Sequence, residues 1–225
     1  MKIWHFSDTH TYHGLLNIPD DIDIAIFSGD SSNPRDPYTN EQEVLNFLVW
    51  FGMEVKAKYK IYVAGNHDTS IEARFVRKDK FKKYDIIYLE NESVEIEGLK
   101  IWGSPYTPEF CNWSFMRVRN KIGKIWDSIP DDTNIIIVHG PPKGILDLSY
   151  DRTGKLEFCG CGALKKRVLK IEPDLCLFGH IHNFEDIINA GTTKLSSYKT
   201  IFSNGSVVTD REFGKLSSHG NLIEI

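Results

Sequence analysis

The sequence predicts an α/β fold in which sheet is covered by helices. Two observations carry this. Five short runs rich in β-branched and aromatic residues each end in a polar cluster, and stretches with helical patterning fall between them. No repeat, low-complexity tract or Pro/Gly/Ser-rich linker divides the chain, so residues 1–225 are expected to form one domain.

The strand-like runs come in this order. Lys2–Phe6 leads into Ser7-Asp8-Thr9-His10, and Ile22–Phe27 into Ser28-Gly29-Asp30. Ile61–Ala64 leads into Gly65-Asn66-His67-Asp68, Ile135–Val138 into His139-Gly140-Pro141-Pro142, and Leu175–Phe178 into Gly179-His180-Ile181-His182. Gly and Pro supply the breaks. Asn40 and Glu43 have the spacing of a capping box, and Val44, Leu45, Leu48, Val49, Phe51 and Met53 give the following helix a broad apolar face. Ser70 is expected to cap a second helix reaching about Phe81. A third is expected over Phe115–Trp126, and a fourth over Ala163–Ile171 before Pro173. Ser93–Glu97 and Leu99–Trp102, split at Gly98, read as a hairpin, with late strands at Thr200–Ser203 and Val207–Thr209.

Composition excludes several classes. The chain has 225 residues, 41% hydrophobic and 26% charged, which is ordinary globular usage and neither disordered, collagenous nor coiled-coil. At this size a chain buries roughly 70% of its unfolded surface, enough for a core without staples. No apolar run approaches the ~18 residues of a membrane span, and the N-terminal residues turn polar too soon for a signal peptide. The net charge of −4 offers no broad basic face, so extended nucleic-acid binding is not expected. Cys111, Cys159, Cys161 and Cys176 fit neither a zinc ribbon nor a redox pair, and free thiols in a reducing cytoplasm are expected.

Ligands in layered α/β folds gather at the carboxyl ends of strands. Five of the eight histidines, His10, His67, His139, His180 and His182, lie in the strand-end clusters, together with Asp8, Asp30 and Asn66. This nitrogen and oxygen set without thiolate suits Mn²⁺, Fe²⁺, Zn²⁺, Co²⁺ or Ni²⁺. Eight candidates exceed one tetrahedral zinc and suit two ions sharing a carboxylate, an arrangement that clamps attacking and leaving oxygens of an in-line displacement. Two divalent ions against Asp8 and Asp30, with a bridging hydroxide, leave a net charge of about +1, which attracts phosphate.

Asp8-Thr9-His10, Gly29-Asp30, Gly65-Asn66-His67-Asp68, His139 and Gly179-His180-Ile181-His182 together resemble the calcineurin-like metallophosphoesterase superfamily, whose pattern is D-x-H, GD, GNH[DE], a lone H and GH-x-H in this order. Ser104–Pro108, Trp113, Phe115, His139–Pro142, Gly160-Cys161 and Asn204 resemble its small MPPED-type branch. Some members of that branch carry Gly at the first His of the last block and are poor enzymes; His180 is kept here.

The resemblance implies a β-sandwich flanked by helices, in four layers α/β/β/α. It implies that Asp8, His10 and His182 hold a first metal, that Asn66, His139 and His180 hold a second, and that Asp30 bridges them. Mn²⁺ is the expected ion, with Fe, Zn, Co or Ni as alternatives. The nucleophile would be a metal-bridging hydroxide. His67 would assist the leaving group, with Asp68 either orienting it or capping the next helix; apart from the resemblance, His13, three residues past His10 in the same loop, is expected to touch the substrate phosphate.

The expected activity is hydrolysis of phosphodiesters of nucleotides or other small molecules, since no capping insertion is visible. A phosphomonoesterase or a small nuclease would use the same site. A serine/threonine phosphatase is disfavoured because Arg35 falls outside the spacing that such enzymes place after GD. A nucleotide-binding module without turnover would show a degraded ligand set, and none of these positions is degraded. Trp113, Phe115 and Trp126 are expected in the core, His5 on a strand in a structural role and His219 in a surface turn, while Lys143 and Arg152 could rim the pocket.

Overall fold

Successive strand residues point to opposite faces, and the central strands here are apolar on both, so each must be covered twice. The computed structural model, which describes residues 1–151, 153–209 and 215–225, achieves this with two sheets packed face to face and helices outside them. The strands are β1 (Lys2–Phe6), β2 (Ile22–Phe27), β3 (Ala57–Tyr62), β4 (Ile86–Tyr88), β5 (Glu92–Ile96), β6 (Leu99–Ser104), β7 (Thr107–Pro108), β8 (Met116–Arg117), β9 (Ile135–Val138), β10 (Leu148–Tyr150), β11 (Leu156–Phe158), β12 (Leu175–Phe178), β13 (Gly191–Lys194), β14 (Ile201–Asn204) and β15 (Asn221–Glu224). One sheet runs β15-β1-β2-β3-β4, parallel except for β15 at one edge, and the other runs β13-β14-β12-β9-β6-β5, parallel at its centre with antiparallel strands at both edges.

The alternation separates two kinds of core. Ile3, Ile24, Ile26 and Ile61 of one sheet meet Ile101, Ile135, Ile137, Leu175 and Leu177 of the other in an aliphatic layer. Trp4, Phe6, Phe27 and Tyr62 face outward beneath α1 (Pro37–Met53), which contributes Val44, Phe47, Leu48 and Phe51. Trp102, Ile136, Cys176 and Phe178 face the other way beneath α4 (Gly123–Asp127) and α5 (Gly162–Ile171), which contribute Trp126, Leu164 and Val168. Flat aliphatic side chains fill the gap between sheets, and bulkier rings fill the curved space under helices.

Several expected boundaries move. Helix α1 starts at Pro37, whose fixed φ suits the first turn, and Asp36 rather than Asn40 caps it by accepting the Tyr38 N–H at 3.3 Å. The second expected helix breaks at Arg74, which is left-handed at φ 64°, into α2 (Thr69–Glu72) and α3 (Lys78–Lys82). The third shrinks to α4 because Phe115 takes φ 52° and Met116–Arg117 pairs with β7 instead. Val207–Thr209 makes only isolated bridges. The fourth helix and the Gly98 hairpin stand as expected. No helix among the described residues is long and apolar enough to cross a membrane.

Candidate metal centre

The parallel strands β1, β2 and β3 lead into loops that carry Asp8, Asp30 and Asn66, and β9 and β12 of the opposite sheet lead into His139 and His180. The chain turns sharply at these points. Asp8, His10, Asp30 and His180 all have positive φ, between 42° and 71°, a region non-glycine residues occupy at a cost and mostly at functional sites.

The side chains meet in two groups. Ligand atoms of Asp8, His10 and His182 all lie within 4.8 Å of one another, and so do those of Asp30, His139 and His180. Asn66 joins the second group, its Oδ1 2.9 Å from His139 Nε2, with Asp30 Oδ2 at 3.2 Å from the same nitrogen. His139 Nδ1 donates to Ser28 O at 2.8 Å, and His10 Nδ1 faces Asn33 Oδ1 at 3.0 Å, contacts that aim each ring and leave Nε2 for a metal. Asp8 accepts the His180 N–H at 2.9 Å and the Ser7 hydroxyl at 2.5 Å.

Electrostatics favour cations here. Burial opposes ionisation of Asp8, but His182, by hydrogen bond and charge, and His139 outweigh it and bring the carboxyl down to about 2. Burial likewise opposes ionisation of Asp30, yet His139 and His67 hold it well below the usual carboxylate range. Burial lowers His10 to about 4 and His180 to about 3, so both are neutral. His139 goes the other way: Asp30 overcomes its burial and lifts it to about 9. Two ionised carboxylates, with neutral imidazoles at His10 and His180 and a carboxamide as further donors, make a set that attracts cations. The donor chemistry therefore fits two divalent ions, the His139 Nε2 proton lying where a cation would take its place.

His67 is half-buried beside the ligands. Its Nδ1 faces Asn33 O at 3.2 Å, and its ring meets His10 edge-on at 4.8 Å. The groups open into a cavity of about 720 Å³. Its walls include His10, Asp30, Asn66, His67, His180 and His182, with Phe110, Trp113, Tyr150 and Phe158 further out.

Two expected site residues are corrected. Asp68 does not reach the His67 imidazole, and it makes no side-chain cap to α2. Its carboxylate instead accepts N–H groups of Asp30, Ser31 and Gly65, because it is buried between the two loops. His13 does not line the cavity. Its ring packs against Phe47 and Trp50 at 5.3 and 5.1 Å, where burial lowers it to about 4, because the 3₁₀ turn over Tyr12–Leu15 carries it toward α1. Trp113 also departs from expectation: Phe115 and Trp126 enter the core, but Trp113 stands at the cavity. Lys143 lines the cavity, and Arg152 lies outside the described residues. His5 bridges Ser203 and Ser28 inside the fold, and His219 sits in an exposed turn. Asn33 was missed; its signal is the polar Ser31-Ser32-Asn33 run directly after a strand end.

The family model for calcineurin-like phosphoesterases matches residues 1–184. The chain belongs to that family. It is a metal-dependent phosphoesterase family with dinuclear centres, and its chemistry is hydrolysis of phosphoric esters. The chain is 32% identical to metallophosphoesterase domain-containing protein 1 of Homo sapiens, over 83% of this chain and 62% of that protein. It therefore spans less than two thirds of that relative's length. It is 33% identical to a UPF0046 protein of Caenorhabditis elegans, over 86% of this chain and 67% of the other. Phosphopantetheinyl hydrolase from Mycobacterium tuberculosis shares the fold, with a TM-score of 0.62 at 14% identity over 99% of this chain and 95% of that one.

Proposed function

We propose that this protein hydrolyses phosphodiesters of nucleotides or other small molecules, with Mn²⁺ as the ion in both positions. One observation carries the reading: two buried donor groups from facing sheets open into a single cavity. Asp8, His10 and His182 would hold one ion and Asn66, His139 and His180 the other, with Asp30 between them. When bound, the ions supply Lewis acidity toward phosphoryl oxygens and water of lowered pKa.

The chain's own residues then do the following. His139 gives up its Nε2 proton so that the nitrogen can ligate. Asn33 O engages His67 Nδ1, which leaves Nε2 of His67 to hold or deliver the proton that the leaving oxygen needs. Asp68 keeps the loops bearing Asp30 and Asn66 in register. The outer walls favour a diester: about 720 Å³ far exceeds a bare phosphate and lies in the range of organic-ligand pockets, with Phe110 and Trp113 on one segment and Tyr150 and Phe158 on another to meet organic substituents. The whole chain acts as one domain in this proposal. A cytoplasmic setting is part of the proposal, in keeping with a cysteine spacing that suggests no disulfide framework.

The test is a Mn²⁺-supplemented screen of 2′,3′-cyclic nucleotides, 3′,5′-cyclic nucleotides, bis-aryl phosphates and monoesters. Turnover of diesters is expected. Activity on monoesters alone overturns the diesterase reading, and nucleotide binding with no turnover under any divalent ion overturns the hydrolase reading.

A further inference from the structure

We propose that Trp113 is a positioning residue that holds the His67 imidazole in place by close ring contact, and that Arg35 holds Trp113. The inference rests on the reading of His67 as the group at the leaving oxygen. The indole and imidazole centroids are 4.0 Å apart with planes 34° from parallel. Such contact is closer than most aromatic pairs, which sit at roughly 4.5–7 Å. A ring held at Nδ1 alone, by Asn33 O at 3.2 Å, can still pivot about that contact. His10 edge-on at 4.8 Å and Trp113 tilted against the ring at 4.0 Å remove that freedom.

Trp113 is itself secured. The Arg35 guanidinium lies over the indole at 4.0 Å and donates to Cys111 O at 3.0 Å, tying the segment around Trp113 to the chain that follows the Asp30 loop. The backbone around Trp113 is unusual: Cys111, Asn112 and Phe115 all take left-handed φ of 47°, 53° and 52°. Such strain is retained where the structure enforces it. The path buries Phe115 completely and leaves Trp113 only half-buried against His67, whereas Trp4, Trp102 and Trp126 are fully enclosed.

The test uses Trp113→Ala and Trp113→Phe in the full-length, metal-loaded protein. On a diester with a poor alkoxide leaving group, Trp113→Ala is expected to lower kcat about tenfold with KM little changed, as mispositioning of a catalytic group does. Trp113→Phe retains most of kcat. In a His67→Ala background, Trp113→Ala has no further effect. Independently of turnover, imidazole ¹H–¹⁵N spectra of the Zn²⁺-loaded protein should show His67 ring protons displaced by the indole ring current, returning toward free-histidine positions in Trp113→Ala. A rise in KM instead of a fall in kcat, a full loss persisting without His67, or unmoved His67 signals overturns the proposal. A wild-type protein without turnover overturns only the hydrolase reading, and the imidazole spectra still decide whether Trp113 holds the ring.

Discussion

The carboxylate of Asp68 accepts the backbone N–H of Ser31 at 3.0 Å, and this contact joins the loop after β2 to the loop after β3. The same carboxylate accepts the N–H of Asp30 at 3.1 Å and of Gly65 at 2.8 Å, and the hydroxyls of Ser31 at 2.7 Å and Ser32 at 3.1 Å. Burial and the neighbouring Asp30 charge raise its pKa. The loops it joins carry Asp30 and Asn66, so its hydrogen bonds set the spacing of two proposed metal ligands.

Replacing Asp68 by Ala strands these buried donors. Each unsatisfied donor costs roughly 1–3 kcal/mol, so Asp68→Ala should lose about 3 kcal/mol or more of stability together with metal affinity. Urea denaturation and metal titration measure both. A variant as stable as wild type with intact metal affinity would show that the loops need no such tie.

His67→Ala should separate binding from chemistry. The imidazole contacts Asn33 O, His10 and Trp113, and it belongs to neither ligand group. Metal content should stay at two ions per chain while kcat on diesters falls by about 10²–10⁴, the range for a lost general acid. Loss of an ion with the imidazole would make His67 a ligand.

The proposed donor groups were legible because each lies in the loop that follows a plainly apolar strand, where ligands gather in layered α/β folds. The supports were not legible. Asn40 resembles a helix cap, but its amide is captured by distant acceptors, His67 O at 2.8 Å and Pro34 O at 2.9 Å. Trp113 resembles core because hydrophobicity says nothing about where a loop stops. Its path depends on left-handed Cys111, Asn112 and Phe115, and no glycine marks those turns.

Metal loading should release protons. His139 is held at about 9, whereas His10 and His180 are neutral at about 4 and about 3, and Asp8 is ionised at about 2. Near neutral pH, binding should therefore displace the His139 proton, and affinity should climb as pH rises toward 9. Calorimetry in buffers of different ionisation enthalpy counts that proton. Chelation should abolish turnover and lower Tm, with saturating Mn²⁺ restoring about 2.7 kcal/mol per ion at a hundredfold excess over Kd.

His5 should make the fold acid-sensitive. It is buried between Ser203 Oγ at 2.8 Å and Ser28 Oγ at 2.9 Å, and burial lowers it from 6.5 to about 3. The unfolded chain takes up this proton below 6.5 while the folded one does not until about 3. The stabilisation is therefore complete above 6.5 and is lost progressively as pH falls through that window. Between about pH 7.5 and about pH 5.5 this one group accounts for about 1.4 kcal/mol. His5→Gln should be less stable at neutral pH, yet its stability should fall less steeply over the same interval in urea melts.

Gly179, after β12, packs against Ser7 and Asp8 after β1 of the opposite sheet, and a single methyl there should be disruptive. Its N–H donates to His139 O at 2.8 Å, which joins the lone-histidine loop to the end of β12. A Cβ at this position would overlap Ser7 Oγ and Asp8 Oδ2. Neither neighbour can easily yield, because Ser7 donates to Asp8 at 2.5 Å and Asp8 also accepts the His180 N–H at 2.9 Å. Overpacking typically costs about 1–3 kcal/mol, and here the displaced group is a proposed ligand. Gly179→Ala should thus lose stability and bind one ion in place of two. Gly162→Ala is the matched control: nothing lies within 4 Å of its added Cβ, and it opens α5, where Ala is favoured over Gly by roughly 0.5–1 kcal/mol. Equal behaviour of the two variants in metal titration and thermal denaturation would sink the claim that Gly179 makes room for Asp8.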